Sequence, residues 1–251
     1  MAKINFGYKS VEKDEKQNLV NEVFRSVASK YDLMNDVMSL GMHRLWKKIM
    51  VNSVSVMPDS QILDMAAGSG DIAFRIYKKY QTFGENLHLT LADINADMLD
   101  VARDRTIDQN LDSSKFTFHT VNGEDSGLPS NHFDYYVIAY GIRNFTDLNK
   151  GLAEANRVLK PGGKFLCLEF SDIPDGMFKQ IYDFYSFNVI PKCGEIITGD
   201  KESYQYFIES IRMFPKPQEF TCMMTKAGLS GSNFKNLFGG ITTLYRAEKS
   251  K

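Results

Sequence analysis

The chain has 251 residues, with 30 Lys+Arg against 31 Asp+Glu and a formal net charge of −1. That balance gives no basic footprint for nucleic acid. A hydrophobic share of 43% and a charged share of 24% exclude the disordered class. The apolar runs, such as 135–142, fall well short of the roughly 18 residues of a spanning helix. The first fifteen residues mix Lys with Asp and Glu and have no apolar stretch, so no secretory signal is expected. Three separated cysteines (Cys167, Cys193, Cys222) suggest mostly buried free thiols in a reducing compartment. The four histidines lack metal-ligand spacing, and no metal is expected.

Leu19, Val20, Val23, Phe24 and Val27 recur at helical spacing over 15–29, which predicts an amphipathic helix docked on the domain's own core. Residues 31–40 read as a connector and 41–57 as a second helix ending before Pro58. The pattern then changes to alternating short strands and helices. Strands are expected at 61–66, 87–92, 115–120, 134–140 and 164–170, with helices at 71–80, 95–107 and 147–159. This alternation with short connections predicts a parallel sheet covered on both faces. Residues 174–213 are aromatic-rich and helical in pattern, and 217–227 read as another helix. Strands at 232–238 and 241–247 meet at Gly239-Gly240 as a hairpin. The expected fold is α/β, Rossmann-like and doubly wound. It has a mostly parallel seven-stranded sheet with a C-terminal antiparallel strand, N-terminal helices and a helical insertion after the fifth strand.

Gly68-Ser69-Gly70-Asp71-Ile72-Ala73 follows a strand and opens a helix. Alone, this G-x-G-x-x-A pattern also fits a dinucleotide site or a tight turn without ligand. Asp93 lies 23 residues past Gly70 at a strand end, where a carboxylate can accept from both ribose hydroxyls. Asp64 and Asp71 flank the loop. A pyrophosphate at a helix N-terminus needs free N–H groups and no competing anion. S-adenosylmethionine (SAM) has no phosphate and carries a sulfonium and an amino group, which neighbouring acids favour. SAM is therefore the preferred ligand. Asn122-Gly123-Glu124-Asp125 after the third strand is expected to reach the adenine edge, with Asp125 a candidate acceptor. Ala139-Tyr140-Gly141 closes the fourth strand and leaves room beside the methyl group.

These residues resemble the class I SAM-dependent methyltransferases, and within them the demethylmenaquinone / 2-polyprenyl-6-methoxy-1,4-benzoquinol C-methyltransferases. The specific segments are YDLMNDVMSLGMHRLWK (31–47), LDMAAGSGD (63–71), LADIN (91–95), YGIRNFTD (140–147), LEFS (168–171), YSFNVIP (185–191) and SYQYFIESIR (203–212). The resemblance implies one methyltransferase domain over 1–251. Its parts are an N-terminal helical cover (1–57), a SAM-binding core (61–173), a helical substrate lid (174–213), and a C-terminal helix with strands (217–248). It implies ring C-methylation of a polyprenylated quinol in ubiquinone or menaquinone biosynthesis, in a bacterial-type cytoplasmic chain peripheral to the inner face of the membrane. Transient membrane contact and a homodimer or a quinone-biosynthesis assembly are further expectations. By resemblance, Asp64, Ala66, Gly68, Ser69, Gly70, Asp93, Ile94, Asn122, Gly123, Glu124 and Ala139 hold SAM. Ser69 stands where family members often carry Thr beside the SAM carboxylate.

The chemistry needs a quinol carbon in line with the sulfonium methyl and a group that stabilises phenolate. Arg143 and Asn144 lead, because they follow Gly141 at the C-terminal end of a core strand. Arg143 keeps its proton, so its expected part is phenolate stabilisation, unless it only pairs with an acid such as Asp147. Tyr31 and His43 are further candidates. Asp32, Asn35, Glu169, Tyr185 and Tyr204 rank lower. Nine aromatics within 178–214 and five Met within 34–57 suggest an apolar cover for a polyprenyl tail. The competing readings are a nicotinamide-dependent oxidoreductase using the same loop and a non-catalytic SAM- or lipid-binding scaffold.

Overall fold

The computed structural model describes residues 3–27, 36, 39, 41–81, 87–173, 177–192 and 201–251. The chain opens with a hairpin that the sequence reading does not anticipate: β1 (Lys3–Phe6) pairs antiparallel with β2 (Lys9–Glu12). Four-residue strands whose described side chains are half-buried or exposed carry too little alternation to register. Helix α1 (Lys13–Val27) follows. The second helix, α2 (His43–Asn52), stops five residues before the expected end. Ser53 Oγ bonds back to the Ile49 carbonyl at 3.1 Å, and Val51, Val54 and Val56 disfavour a longer helix through their branched Cβ atoms.

The sheet core then runs β3 (Gln61–Met65), α3 (Asp71–Tyr80), β4 (His88–Asp93), α4 (Ala96–Asp108), β5 (Phe116–Thr120), β6 (Phe133–Ala139), α5 (Leu148–Val158) and β7 (Leu159–Phe170). Strand β7 begins five residues earlier than expected. Its Leu159 pairs with Phe133, so Pro161-Gly162-Gly163 lies inside the strand. Helix α6 (Met177–Phe184) runs into a π-helical turn at Tyr185–Val189, and α7 (Lys201–Met213) follows. Helix α8 (Pro217–Lys226), β8 (Leu229–Leu237) and β9 (Thr242–Lys249) complete the chain.

The seven strands lie in the order β5-β4-β3-β6-β7-β9-β8. Strands β3 to β7 pair in parallel, and β9 lies antiparallel between β7 and β8. The order reverses beside β3, which creates a crevice at the C-terminal ends of β3 and β6. Period-two alternation divides the core between the two faces. Ile62, Tyr135, Val137, Leu166 and Leu168 pack with α2, α3 and α7 on one side. Leu63, Tyr136, Ile138, Phe165 and Cys167 pack with α5 and α8 on the other.

The aromatics of the 174–213 stretch are mostly structural. Tyr204, Phe207, Ile208 and Ile211 belong to the buried cluster over the sheet, whereas Phe184 is exposed. Arg212 ties α7 to the rest of the insertion by pairing with Asp172 at 3.0 Å and with Asp183. The thiols divide: Cys167 is buried and Cys222 is exposed, which corrects the expectation for Cys222; Cys193 lies outside the described residues.

Candidate active site

A cleft opens at the C-terminal ends of β3, β4 and β6. Met65, Ala66 and Gly68 form its floor, with Asp93, Ile94 and Asn95 beyond β4 and Ala139, Tyr140 and Gly141 at the end of β6. Two neighbouring strand ends carry non-glycine residues in left-handed backbone, Ala66 at φ 52° and Tyr140 at φ 60°. Such conformations cost about 1–3 kcal/mol each and concentrate at functional sites. Gly141 sits against the first of them, and a side chain there would place its Cβ 2.5 Å from that of Ala66.

Asp93 organises the glycine loop. Its carboxylate accepts from the Gly68 N–H at 2.8 Å and the Asn95 N–H at 2.9 Å, and it borders the cleft. Burial raises its pKa, against the pull of these backbone donors. The other two acids differ from the expected picture. Asp71 does not line the cleft. It pairs with Lys47 of α2 at 2.8 Å and with Arg75 at 2.7 Å. Burial would raise its pKa, but the two cations hold it down to about 2. Asp64 lies beneath the loop, accepting from the Ala73 N–H at 3.0 Å. Burial, with Asp71 and Asp93 nearby, pushes its pKa up to about 8. Ser69 is also turned away from the cleft, its hydroxyl accepting from Arg105 at 2.7 Å. Gly70 shapes the loop at φ 81° without lining the cleft.

A pH dependence follows from Asp64. The folded protein keeps a proton that the unfolded chain releases near pH 4. Stability from this group is therefore full below that pH and is lost as pH rises toward about 8. Asp64→Asn is expected to remove a slope of up to about 1.4 kcal/mol per pH unit across that window. Denaturant melts of the ligand-free protein at several pH values measure it, and an unchanged slope would refute the assignment.

The loop after β5 closes the adenosine side. Asn122 Oδ1 accepts from the Glu124 N–H at 2.9 Å. Asp125, the candidate adenine acceptor, is exposed and does not line the cleft. Glu124 accepts from the Thr146 N–H and so joins this loop to the one after β6. From α1, Lys16 Nζ donates to the Phe145 carbonyl at 2.9 Å, and Gln17 and Val20 reach the cleft wall. Burial lowers the Lys16 pKa, partly offset by Glu124. The Phe145 ring sits between two glycines. A Cβ would approach it to 2.4 Å from Gly123 and 2.3 Å from Gly151. Gly123→Ala is therefore expected to push Phe145 into the cleft and weaken SAM binding about tenfold, as read by equilibrium titration; unaltered affinity would show that the ring yields elsewhere.

The catalytic candidates separate. Asn144 stands in the cleft wall and accepts from the Tyr206 hydroxyl at 3.0 Å. Arg143 lies behind it with its side chain 5% exposed. Its guanidinium pairs with the fully buried Glu169 at 3.0 Å, donates to Ser210 Oγ at 3.3 Å, and also donates to the Tyr140 carbonyl. The partner is thus Glu169 rather than Asp147, which caps α5. His43 is buried on α2, 2.9 Å from Ser39 Oγ and 3.8 Å from Asp36, and is not part of the cleft wall. Tyr204 and Tyr185 pack in the core cluster. Tyr31, Asp32 and Asn35 lie outside the described residues.

The wall's charge is one-sided. Asp93 and Glu124 line the cleft, and among its described lining residues there is no Lys or Arg. Residues 9–249 match the ubiE/COQ5 methyltransferase family. The chain belongs to that family. It is 53% identical over 250 residues to the ubiquinone/menaquinone biosynthesis C-methyltransferase UbiE of Rickettsia bellii, spanning 99% of this chain and all of the relative. The UbiE protein of Rickettsia akari is 51% identical over the same length, with the same coverage. Among solved structures, a chain from the complex of the Haloferax volcanii Trm112 methyltransferase activator with its methyltransferase superposes with a TM-score of 0.63. It is 17% identical and covers 91% of this chain and 98% of that one. Haemonchus contortus phosphoethanolamine N-methyltransferase 2 with S-adenosyl-L-methionine gives 0.60 at 16% identity, covering 82% and 52%. At such identities these two establish the shared fold.

For a member of this methyltransferase family, the wall chemistry fits SAM. A cationic, phosphate-free nucleoside finds the carboxylates of Asp93 and Glu124 in the wall, while Lys16, whose charge acts on Glu124, donates to the Phe145 carbonyl behind it. Of the expected binding residues, Ala66, Gly68, Asp93, Ile94, Asn122, Gly123, Glu124 and Ala139 line the cleft. Asp64, Ser69 and Gly70 support it from behind. Sequence reasoning missed Gln17, Val20, Met98, Phe145 and Thr146. The first two carried a signal: they share the amphipathic helix of 15–29, which was expected only to dock on the core.

Proposed function

We propose that this protein transfers the methyl group of SAM to a ring carbon of a polyprenylated quinol in ubiquinone or menaquinone biosynthesis. The carrying observation is the cleft at the sheet's switch point, with Asp93 and Glu124 in its wall and no Lys or Arg among its described lining residues, in a chain 53% identical over its length to a UbiE C-methyltransferase. When bound, SAM supplies the electrophilic methyl on its sulfonium. The chain's own residues do the rest. Asp93 accepts from the ribose hydroxyls, Gly123 and Asn122 flank the adenosine, and α1 closes over the cleft through Gln17 and Val20. Asn144 presents its side chain where the quinol must arrive. Arg143 acts from behind, fixing the Gly141–Asn144 loop by its bonds to Glu169, Ser210 and the Tyr140 carbonyl. Burial also raises the pKa of Glu169 against the pull of Arg143.

No helix among the described residues is long and apolar enough to cross a membrane. The proposed cytoplasmic enzyme therefore collects its prenylated substrate by transient contact with the inner face of the membrane, as a homodimer or within a quinone-biosynthesis assembly. Incubation with isotopically labelled SAM and a reduced demethylated quinol tests the reading. Label on a ring carbon is the expected product, and label on oxygen or none at all would reject it. Tight nicotinamide binding without SAM affinity would favour the oxidoreductase instead. SAM binding without turnover on any quinol would favour the scaffold.

A further inference from the structure

We propose that Tyr206 is a positioning residue for the reaction: its hydroxyl holds Asn144 by the carboxamide oxygen, leaving the amide nitrogen as a hydrogen-bond donor to the cleft, and Phe6 of the N-terminal hairpin holds Tyr206 in turn. This deepens the proposed function and rests on it. Helix α7 contributes no residue to the cleft wall. It nevertheless reaches Asn144 through a bond of 3.0 Å between Tyr206 Oη and Asn144 Oδ1.

The direction of the bond follows from what is available to each partner. A carboxamide can be turned either way round, and a hydroxyl can donate or accept. Tyr206 is buried, and among the described residues its hydroxyl bonds only Asn144. If Asn144 donated to it, the phenolic O–H would be buried without an acceptor, a cost the observed direction avoids. Burial, with Glu169 nearby, raises the Tyr206 pKa to about 12 despite the pull of Arg143. The hydroxyl therefore remains a neutral donor at any working pH. Asn144 Nδ2 has no partner among the described residues, while its residue borders the cleft.

The hairpin is fitted to this arrangement. Phe6 stacks on Tyr206 with centroids 4.0 Å apart and planes 14° apart. One residue on, Gly7 adopts φ 58°, and a Cβ there would lie 2.2 Å from Glu209 Oε2. The Tyr8 N–H donates to the same oxygen at 2.9 Å, and Gln205 Nε2 donates to Glu209 Oε1 at 2.8 Å. A donor fixed in this way favours a phenolate over a neutral phenol, because a hydrogen bond to an ionised acceptor is the stronger one. It therefore acts on the state that must form before the ring carbon attacks.

The test uses the full-length enzyme with SAM and a reduced demethylated quinol. Tyr206→Phe keeps the ring on Phe6 and removes the hydroxyl. It should lower kcat about tenfold while changing the KM for SAM less than about twofold. Asn144→Asp keeps an acceptor for Tyr206 but loses the N–H donors, and should lose at least as much. Adding Tyr206→Phe to Asn144→Ala should cost little more, since the two groups act as one unit. Full activity of Tyr206→Phe, or losses that simply multiply, would overturn the proposal. A readout independent of turnover separates this from the reaction itself. The Asn144 side-chain amide resonances, assigned by their loss in Asn144→Asp, should move in Tyr206→Phe. Unmoved resonances reject the positioning role whatever the reaction; absence of methylated quinol from wild-type enzyme rejects the proposed reaction.

Discussion

Replacing Asp93 with alanine is expected to lower SAM affinity by at least about two orders of magnitude. The side chain has two tasks. It fixes the glycine loop through the Gly68 and Asn95 N–H groups, and in the proposed complex its remaining acceptor capacity goes to the ribose. Hydrogen bonds to a charged group contribute about 1.5–3 kcal/mol each, and two lost ribose contacts alone reach the stated factor. Asp93→Asn should be nearly as damaging. One of its two polar corners becomes an N–H donor that faces the Gly68 or the Asn95 donor. Calorimetric titration of SAM measures both variants. Affinity within about threefold of wild type would remove Asp93 from the binding site.

Arg143→Ala is expected to be as costly to the fold as to the chemistry. Glu169 has no exposed side-chain surface, and removing its cation leaves a buried carboxyl with only the backbone N–H groups of Phe170 and residue 143 to offset its charge. Breaking such a pair costs about 3–5 kcal/mol, and the melting temperature of a domain this large should fall on the order of 10 °C. The apolar double substitution Arg143→Met with Glu169→Leu should recover most of that stability, because a well-packed isostere avoids the desolvation penalty. The double variant also divides two roles. If Arg143 acts by holding the loop, part of the turnover returns with the stability. If its charge acts directly on the phenolate, the double variant is stable and inactive. A single variant that melts like wild type would contradict the buried pair.

Much of the core was legible because strands and helices there carry strong periodic signals. The run Tyr135–Ala139 reads as a strand buried on both sides, and Asp93 at the end of β4 occupies the place where an α/β crevice puts a ligand. The acids of the glycine loop were harder. Asp64 and Asp71 were read as facing the ligand, but Asp71 is taken by Lys47, 24 residues earlier in the chain and on another helix. No local pattern encodes such a pairing. The acid partner of Arg143 is hidden from the sequence for the same reason: it is Glu169, from the next strand over, rather than Asp147. The aromatic cluster of 178–214 was expected to line a pocket, and most of its buried members pack on the sheet, as composition alone cannot separate a lid from a core.

The cover of the cleft joins parts of the chain that leave the ribosome far apart in time. Tyr8 meets Glu209 across 201 positions, and Lys16 meets Phe145 across 129. The five parallel strands lie within 61–170 and pair among themselves, the longest step being from β3 to β6, so a nascent chain can begin to assemble them before α7 is made. The hairpin and α1 must wait for α7, a loop closure that brings slow, high-contact-order assembly. Competence to bind SAM tightly should therefore appear only after the hairpin and α1 have closed on the parts made later.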